Sequence, residues 1–221
     1  MDEFSYGLDE KKYSYSIVKN NSENKEIVIP NTYNNLPVAI ISSRAFFCQP
    51  ITKITIPNNI QSIGDYAFCG CDSLKDIVLA DGIANIGNFS FAVCESLTNF
   101  AIPNSVKTIG MRAFSGCRAL AEIMIPNSVT IINKHAFARC STLTNVVIGN
   151  NVDTIDDCAF SYCTLLKSVV IPKNVNKLGS FIFRSCRSLK TIYCEVDSEP
   201  NGWNKKWNSG CSAQIIWGYK G

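Results

Sequence analysis

The sequence predicts a right-handed solenoid of stacked coils, with a parallel β-sheet on one side and turns with short helical or 3-10 segments on the other. Three residue columns predict it, because each recurs every 23 residues without a slip. The cysteine column is Cys71, Cys94, Cys117, Cys140, Cys163 and Cys186. The phenylalanine column is Phe68, Phe91, Phe114, Phe137, Phe160 and Phe183. The leucine column is Leu74, Leu97, Leu120, Leu143, Leu166 and Leu189. A fixed interval marks a structural unit copied along an axis, whereas a catalytic site gathers different residues once.

Composition agrees with a stacked core. The chain has 221 residues and is 46% hydrophobic, but one 23-residue unit is too small to bury its own apolar side, so stacking must supply the core. The net charge of +3 is too small to indicate nucleic-acid binding. Residues 171–221 are more basic than the rest of the chain, with eight lysines and arginines against three acidic residues.

The first predicted element is an amino-terminal cap over residues 1–27. Tyr13, Tyr15 and Ile17 alternate with polar residues, and a polar turn at Asn20–Asn24 leads into Glu26–Ile29. This pattern predicts a capping β-hairpin. The unit that follows is irregular, since 27 residues separate Ile29 from Ile56, and terminal repeats are often atypical.

The repeats are predicted over residues 28–196, with one short strand in each unit. Leu74–Leu79 is rich in β-forming residues and alternates at its end, which is typical of a strand. Its equivalents are Ile51–Ile56, Leu97–Ile102, Leu120–Ile125, Leu143–Ile148, Leu166–Ile171 and Leu189–Cys194. Stacking would place these strands side by side in one parallel sheet. A Pro-Asn pair ends the strand in several units, because proline cannot donate a ladder hydrogen bond.

A turn follows each strand and contains a column of small or polar residues. Its members are Gly64, Gly87, Gly110, Asn133, Asp156 and Gly179. Glycine, asparagine and aspartate most readily accept a left-handed backbone, so this column predicts positive φ. The Ala-Phe-x-x-Cys segment after it is short. It predicts one helical or 3-10 turn with phenylalanine and cysteine facing inward.

The last predicted element is a carboxy-terminal cap over residues 197–221. It contains Trp203 and Trp207 and ends with the apolar run Ile215–Trp217. Both caps would cover open ends of the sheet, which otherwise favour edge-to-edge aggregation.

The repeat resembles the BspA-like, or Treponema pallidum type, leucine-rich repeat family. The residues that carry the resemblance best are Ile102–Val106, Ile109-Gly110, Ala113-Phe114, Cys117 and Leu120. The resemblance implies a leucine-rich repeat coil. It also implies a surface or secreted protein of a host-associated microbe, with a role in adhesion or in binding host proteins. The family has no binding motif that could be transferred to individual residues.

The sequence offers no catalytic, cofactor-binding or metal-binding set, so we do not expect an enzyme. Thiol packing explains the cysteine column better than disulfides or metal ligation, because these positions face inward and favour a small apolar group. Cys158 lies outside that column and is the thiol expected to be partly exposed. His135 is the chain's one histidine, and its column holds other residue types elsewhere, so acid–base catalysis would rest on it alone.

The outward column of the strands is the candidate binding face. Its members are Thr55, Val78, Ala101, Met124, Val147, Val170 and Tyr193, and polar neighbours such as Glu122 and Asn145 flank them. An apolar stripe with a polar rim is typical of a protein-binding surface. The alternative is that these residues only reflect the β-propensity of an exposed strand.

The predicted function is therefore non-catalytic recognition of a protein or glycan through this face, by a monomer or weak dimer. One alternative is a structural spacer or self-associating module. Another is a basic carboxy-terminal end that binds anionic glycans or membranes. We expect no nucleic-acid partner, and no membrane insertion because no apolar run reaches the 18 residues of a span.

The resemblance predicts a secreted or cell-surface location, with the targeting segment absent from this chain. The alternative is a cytoplasmic location. Met1–Tyr6 is acidic and polar, unlike a signal peptide, and many unpaired thiols fit poorly with an oxidising compartment.

Overall fold

A computed structural model describes residues 3–11 and 13–221, and within these ranges it contains strands and turns but no helix. The strands are β1 (Phe4–Asp9), β2 (Ser14–Asn20), β3 (Glu26–Val28), β4 (Thr32–Tyr33), β5 (Leu36–Ile41), β6 (Lys53–Ile56), β7 (Ser62–Ile63), β8 (Asp76–Leu79), β9 (Asn85–Ile86), β10 (Thr108–Ile109), β11 (Glu122–Ile125), β12 (Ile131–Ile132), β13 (Asn145–Ile148), β14 (Thr154–Ile155), β15 (Ser168–Ile171), β16 (Lys177–Leu178), β17 (Thr191–Cys194) and β18 (Gln214–Ile216). The predicted solenoid with parallel strands is confirmed.

The predicted strands form three sheets in place of one. Their orders are β3-β6-β8, β11-β13 and β15-β17-β18, all with parallel pairing in register. The prediction of one continuous sheet is therefore wrong, and the strands are shorter than predicted, as in β8. Residues 99–102, which lie between β8 and β11, are not a strand. We find no side-chain cause for the second break, between β13 and β15.

The longest sheet is one that the sequence did not predict. It runs β1-β2-β5-β7-β9-β10-β12-β14-β16, with β4 paired to β5. From β7 onward each strand has only two residues, and these pair in parallel with the equivalent pair one coil away. Two residues are too few for an alternating pattern, so periodicity carries no signal for them.

The amino-terminal hairpin exists, but its pairing differs from the prediction. β2 pairs antiparallel with β1, whereas β3 pairs in parallel with β6 and belongs to the repeat sheet. The hairpin closes on β1 because Phe4 is buried against the ring of Phe46, with centroids 6.3 Å apart. At the other end, buried Trp203 donates from Nε1 to the carbonyl oxygen of Val175 at 2.9 Å. The domain boundaries at residues 27 and 196 stay predictions.

The phenylalanine column forms a continuous stack through the core. Seven rings, from Phe46 to Phe183, lie 4.9 to 5.9 Å apart between neighbouring centroids and within 18° of parallel. All are fully buried. The inward orientation predicted for this column is confirmed, and each coil thus packs on the next through an aromatic face.

The cysteine column is a ladder of buried hydrogen-bond donors. Each thiol donates to the carbonyl oxygen of a phenylalanine in the preceding coil, as Cys117 does to Phe91 at 3.1 Å and Cys140 does to Phe114 at 3.2 Å. The other donors are Cys71, Cys94, Cys163 and Cys186, at 3.0 to 3.3 Å. Burial raises the pKa of Cys140 to about 12, so this thiol keeps the proton that it donates. The predicted thiol packing is confirmed.

The helical or 3-10 segment expected after each strand is a run of single turns. Successive N–H groups alternate in direction: Ala67 and Cys69 bond within the turn, to Gly64 and Tyr66, whereas Phe68 donates to Ser90 in the next coil. A helix would direct all these groups along one axis. The solenoid needs half of them to join the coils, so no helix forms.

The left-handed residues are not those that the sequence predicted. Gly110 and its glycine equivalents have ordinary φ, and the left-handed position lies two residues later, as at Arg112 with φ of 53°. A second left-handed column includes Val93, whose φ is 59° although its side chain is β-branched. Glycine is required at these positions because the backbones of adjacent coils approach closely. A Cβ atom on Gly110 would lie 2.6 Å from the backbone of Gly87.

Candidate functional site

The predicted binding face is an exposed stripe on the three short sheets. The exposed fractions are 52% for Val78, 68% for Met124 and 46% for Val147, and Ala101 is also exposed. Register explains the stripe, because Met124 lies directly opposite Val147 in the parallel pair of β11 and β13. Side chains on the other face of these strands, such as Ile123, are buried. Large apolar side chains that face solvent in register are unusual on a soluble protein.

A polar column borders the stripe on one side. Lys53, Asp76, Asn99, Glu122, Asn145 and Ser168 are exposed, and Thr191 is half-buried. The column mixes both signs of charge with neutral amides and hydroxyls. Such a rim limits solvent access to an apolar centre without selecting strongly for a charged partner.

The break at residues 99–102 lies in the middle of this face. Among the described residues, Asn99–Ile102 share no backbone hydrogen bond with β8 or β11. Phe100 provides the reason. Its equivalents are isoleucine or valine, namely Ile54, Ile77, Ile123, Val146, Val169 and Ile192. Its ring packs edge-on against Phe91 and Phe114, with centroids 5.0 and 4.6 Å away. The ring is larger than the side chains at the equivalent positions, and we attribute the break in the ladder to its size.

A shallow groove forms at the break. Its volume is about 250 Å³ and its wall contains five of the nine predicted residues, namely Ala101, Glu122, Met124, Asn145 and Val147. A second depression of about 290 Å³ continues over β13 and β15 and includes Asn145, Val147 and Val170. The structure thus brings the central part of the predicted set together around Met124.

The ends of the stripe differ from the prediction in detail. Tyr193 is half-buried because its ring lies 4.5 Å from that of Tyr219 in the carboxy-terminal cap. Thr55 and Val170 are also half-buried. Sequence reasoning missed Val28, which is 68% exposed and lies opposite Thr55 in the β3–β6 pair. Its place one residue before Ile29 could have identified it, but the irregular first unit hid the register.

Replacing Phe100 with isoleucine is expected to repair the broken ladder. The smaller side chain lets residues 99–102 approach β8 and β11, so their amides gain hydrogen bonds worth about 0.5–1.5 kcal/mol each. Hydrogen exchange of the backbone amides at positions 100 and 101 should therefore slow by about tenfold. Hydrogen exchange followed by NMR would measure this.

The amides of Ile123 and Val147 serve as the internal control for this substitution. They are already hydrogen-bonded across the β11–β13 pair, so their exchange should stay unchanged. Rapid exchange that persists at Ala101 in the Phe100→Ile variant would show that the ring is not what opens the sheet.

The two residues considered for chemistry lie on the turn side. Burial lowers the pKa of His135, and the nearby Arg112 and Lys134 lower it further. Burial, aided by Asp157, raises the pKa of the half-buried Cys158 thiol, so that thiol is protonated near neutral pH. Within residues 3–11 and 13–221, no group of three or more His, Cys, Asp or Glu side chains is arranged to hold a metal ion. The same residues include no helix that could cross a bilayer.

Comparison with known proteins agrees with the fold. The family model described as "BspA type Leucine rich repeat region" matches residues 39–165 and 84–200, in six copies. Curated proteins give no match. A leucine-rich repeat protein from T. pallidum superposes with a TM-score of 0.80 at 31% identity, covering 85% of this chain and 88% of that one.

Two further solved structures are similar along most of the chain. A leucine-rich cell surface protein from Faecalibacterium prausnitzii has a TM-score of 0.80 and 29% identity, covering 90% of this chain but 54% of its own. A leucine-rich repeat protein from Bacteroides ovatus has a TM-score of 0.71 and 26% identity, covering 99% of this chain and 70% of its own. The repeat region of this chain thus also occurs within longer proteins.

Proposed function

The chain belongs to the BspA-type leucine-rich repeat family, and on that premise we propose that it binds a host protein through the apolar stripe on its strands. Modules of this family generally recognise or link other molecules and do not catalyse reactions. The proposed role is adhesion. The proposed location is the surface of the producing cell or the medium into which it secretes the protein. The F. prausnitzii relative, described as a cell surface protein, supports that location.

The observation that supports this proposal most is the environment of Met124. Its side chain is the most exposed member of the central stripe, and it stands beside a groove with Ala101 and Val147 in its wall. Methionine is flexible and polarisable, which suits a surface that must adapt to a partner. The groove has room for an apolar anchor of the partner, and the unpaired backbone of residues 99–102 offers it hydrogen bonds.

The shape of the groove at the strand face favours a protein partner over a small molecule. The groove is shallow and open, whereas small-molecule sites enclose most of their ligand. Affinity would come from a few well-packed anchors surrounded by weaker contacts that exclude water. The mixed rim of Asp76, Asn99 and Glu122 would supply the surrounding polar contacts.

The proposal is tested by replacing Met124 and Val147 together with aspartate. Both side chains are exposed, so no buried group is lost, and the two carboxylates on paired strands should cost no more than about 1 kcal/mol of stability. The two charges would then face the apolar part of a partner. We expect binding to a panel of purified extracellular host proteins to fall by at least about 100-fold for any partner that wild type binds. Surface plasmon resonance would measure the affinities.

The matched control replaces Met111 and Leu165 with aspartate. These are also exposed apolar residues, but they lie away from the strand face. The control should bind the partner as wild type does. Equal losses in both variants, or undiminished binding by the Met124→Asp/Val147→Asp variant, would remove the strand face as the binding site.

A spacer or self-associating role is the second candidate. The observation that favours it is the length of the F. prausnitzii relative, of which this repeat region covers about half. If copies of the chain associate through the stripe, light scattering will show a dimer that the Met124→Asp/Val147→Asp variant disperses. A monomer at the same concentration leaves recognition of another protein as the function.

A further inference from the structure

A second cleft lies on the turn side of the solenoid, and it is rich in arginine. Its volume is about 440 Å³ and its wall contains four of the chain's six arginines, namely Arg112, Arg118, Arg139 and Arg184. The one carboxylate in the wall is Glu95, which pairs with Arg118 at 3.4 Å. The cleft shares no residue with the groove at the strand face. The chain as a whole is only weakly basic, so this concentration of positive charge is local.

Aromatic rings hold three of these guanidinium groups in place. Arg139 lies over Tyr162 at 5.7 Å from the ring centroid, and Arg184 lies over Phe181 at 5.6 Å. Arg112 lies over Phe89 at 5.5 Å. Each guanidinium carbon thus lies over a ring, and among the described residues these three side chains have no protein acceptor, so their N–H groups are available to a ligand. A preorganised arginine loses less entropy on binding than a freely moving one.

We propose that this cleft binds an acidic oligosaccharide that carries sulfate or carboxylate groups. The guanidinium forks match the geometry of these oxyanions and bind them with two parallel hydrogen bonds. The arginines come from three coils: Arg112 and Arg118 from one, Arg139 from the next and Arg184 from two coils further along. One isolated ion therefore could not reach all of them. A chain with several spaced oxyanion groups could. Ser115, which is half-buried in the same wall, is available to the hydroxyl groups of such a ligand.

Other anionic polymers fit this cleft less well. Single-stranded nucleic acid binds by stacking its bases on open aromatic faces, but here guanidinium groups already cover a face of each ring. An extended acidic peptide would gain no main-chain hydrogen bonds from the turns. Their N–H groups already join the coils, as from Arg139 to Ser161 and from Tyr162 to Arg184. An oligosaccharide needs neither feature, because side-chain donors are sufficient.

His135 can serve as an NMR probe of ligand binding in the cleft. It is the chain's one histidine and lies in the cleft wall, near Arg112, Lys134, Asp156 and Asp157. Burial, Arg112 and Lys134 lower its pKa, while the two aspartates act in the opposite direction. A bound oxyanion group would offset the arginine, so the pKa of His135 should rise when the cleft is filled.

The test is a titration of the full chain with a heparin hexasaccharide by isothermal calorimetry. The variant Arg139→Gln/Arg184→Gln should bind at least about tenfold more weakly, since each substitution removes a charge-assisted hydrogen bond. The control Lys205→Gln/Lys206→Gln removes two exposed charges at the basic carboxy-terminal end and should bind as wild type does. Equal loss in both variants would overturn the proposal, because binding would then follow overall charge.

NMR titration of His135 is the second measurement. The hexasaccharide should raise the pKa of His135 in wild type and, at the same concentration, raise it less in the Arg139→Gln/Arg184→Gln variant, whereas a neutral dextran hexasaccharide should have no effect. An unmoved His135 during tight binding would place the ligand elsewhere. An oligothymidylate or a phosphopeptide of similar charge that binds as tightly would overturn the assignment to an oligosaccharide. The Met124→Asp/Val147→Asp variant should bind heparin normally, which separates this site from the strand face.

Discussion

Replacing Phe137 with alanine is expected to lower the free energy of unfolding by about 3–5 kcal/mol. The ring is fully buried and lies between Phe114 and Phe160, at 5.2 and 5.4 Å between centroids. Backbone hydrogen bonds fix the spacing of the neighbouring coils, so these coils cannot move in to fill the cavity that the missing ring leaves. Because each coil contacts only its neighbours, the loss also weakens the coupling between the two halves of the solenoid.

Urea unfolding followed by circular dichroism would measure this loss. The matched control is Phe47→Ala, which removes a phenylalanine that is 45% exposed and lies outside the stack. That substitution should change stability by no more than about 0.5 kcal/mol. If Phe137→Ala were as mild as Phe47→Ala, the aromatic stack would not be what holds the coils together.

Replacing Trp207 with alanine is also expected to remove about 3–5 kcal/mol of packing energy. Unlike Phe137→Ala, this substitution should unfold only one end of the solenoid. The Trp207 side chain is fully buried and packs against Trp203 at 5.2 Å between ring centroids, while its backbone carbonyl, which the substitution keeps, accepts a hydrogen bond from the amide of Ile182. It covers the last coil. Nearest-neighbour coupling therefore predicts that the carboxy-terminal coil unfolds while the coils before it remain folded.

Hydrogen exchange measured peptide by peptide would show whether only the carboxy-terminal coil unfolds or the whole solenoid does. In Trp207→Ala, the amides of residues 180–221 should lose protection, and those of β6 to β12 should keep it. The half-buried Trp217, replaced by alanine, is the control and should give a smaller change in the same segment. Uniform loss of protection along the whole chain would show that the solenoid unfolds as one unit.

Positions with a strict period were predictable because each repeat places the same residue in the same environment. Phe114 and Cys117 were assigned to the core from their spacing, and both are fully buried. The sequence could not show what the cysteines do there. The thiol of Cys117 acts as a donor to a carbonyl of the preceding coil, which depends on backbone geometry rather than on hydrophobic pattern.

The glycine column shows how a correct residue type can suggest the wrong cause. Gly87 and Gly110 were expected to adopt positive φ, but they are small because adjacent coils nearly touch there. The left-handed positions hold residues such as Tyr66 and Arg112, which have no intrinsic preference for that backbone. The hydrogen bonds between coils impose it, and local propensity carries no information about them.

The candidate sites were predictable to different degrees. Met124 and Val147 were found by alternation, and Phe100 was a visible departure from an isoleucine and valine column whose effect on the sheet was not foreseen. The arginine cleft was not predictable from spacing. Arg112 and Arg139 occupy different columns of the repeat, and only the turn geometry brings them together.

The central claim is that the strand face around Met124 binds a protein partner, and a pair of methionine substitutions tests it most directly. Met124→Ala and Met111→Ala remove the same side chain, 68% exposed on the stripe in one case and 37% exposed off it in the other. Titration by calorimetry with a partner identified in the panel should show at least about tenfold weaker binding for Met124→Ala and unchanged binding for Met111→Ala. Equal affinities of the two variants would contradict the claim.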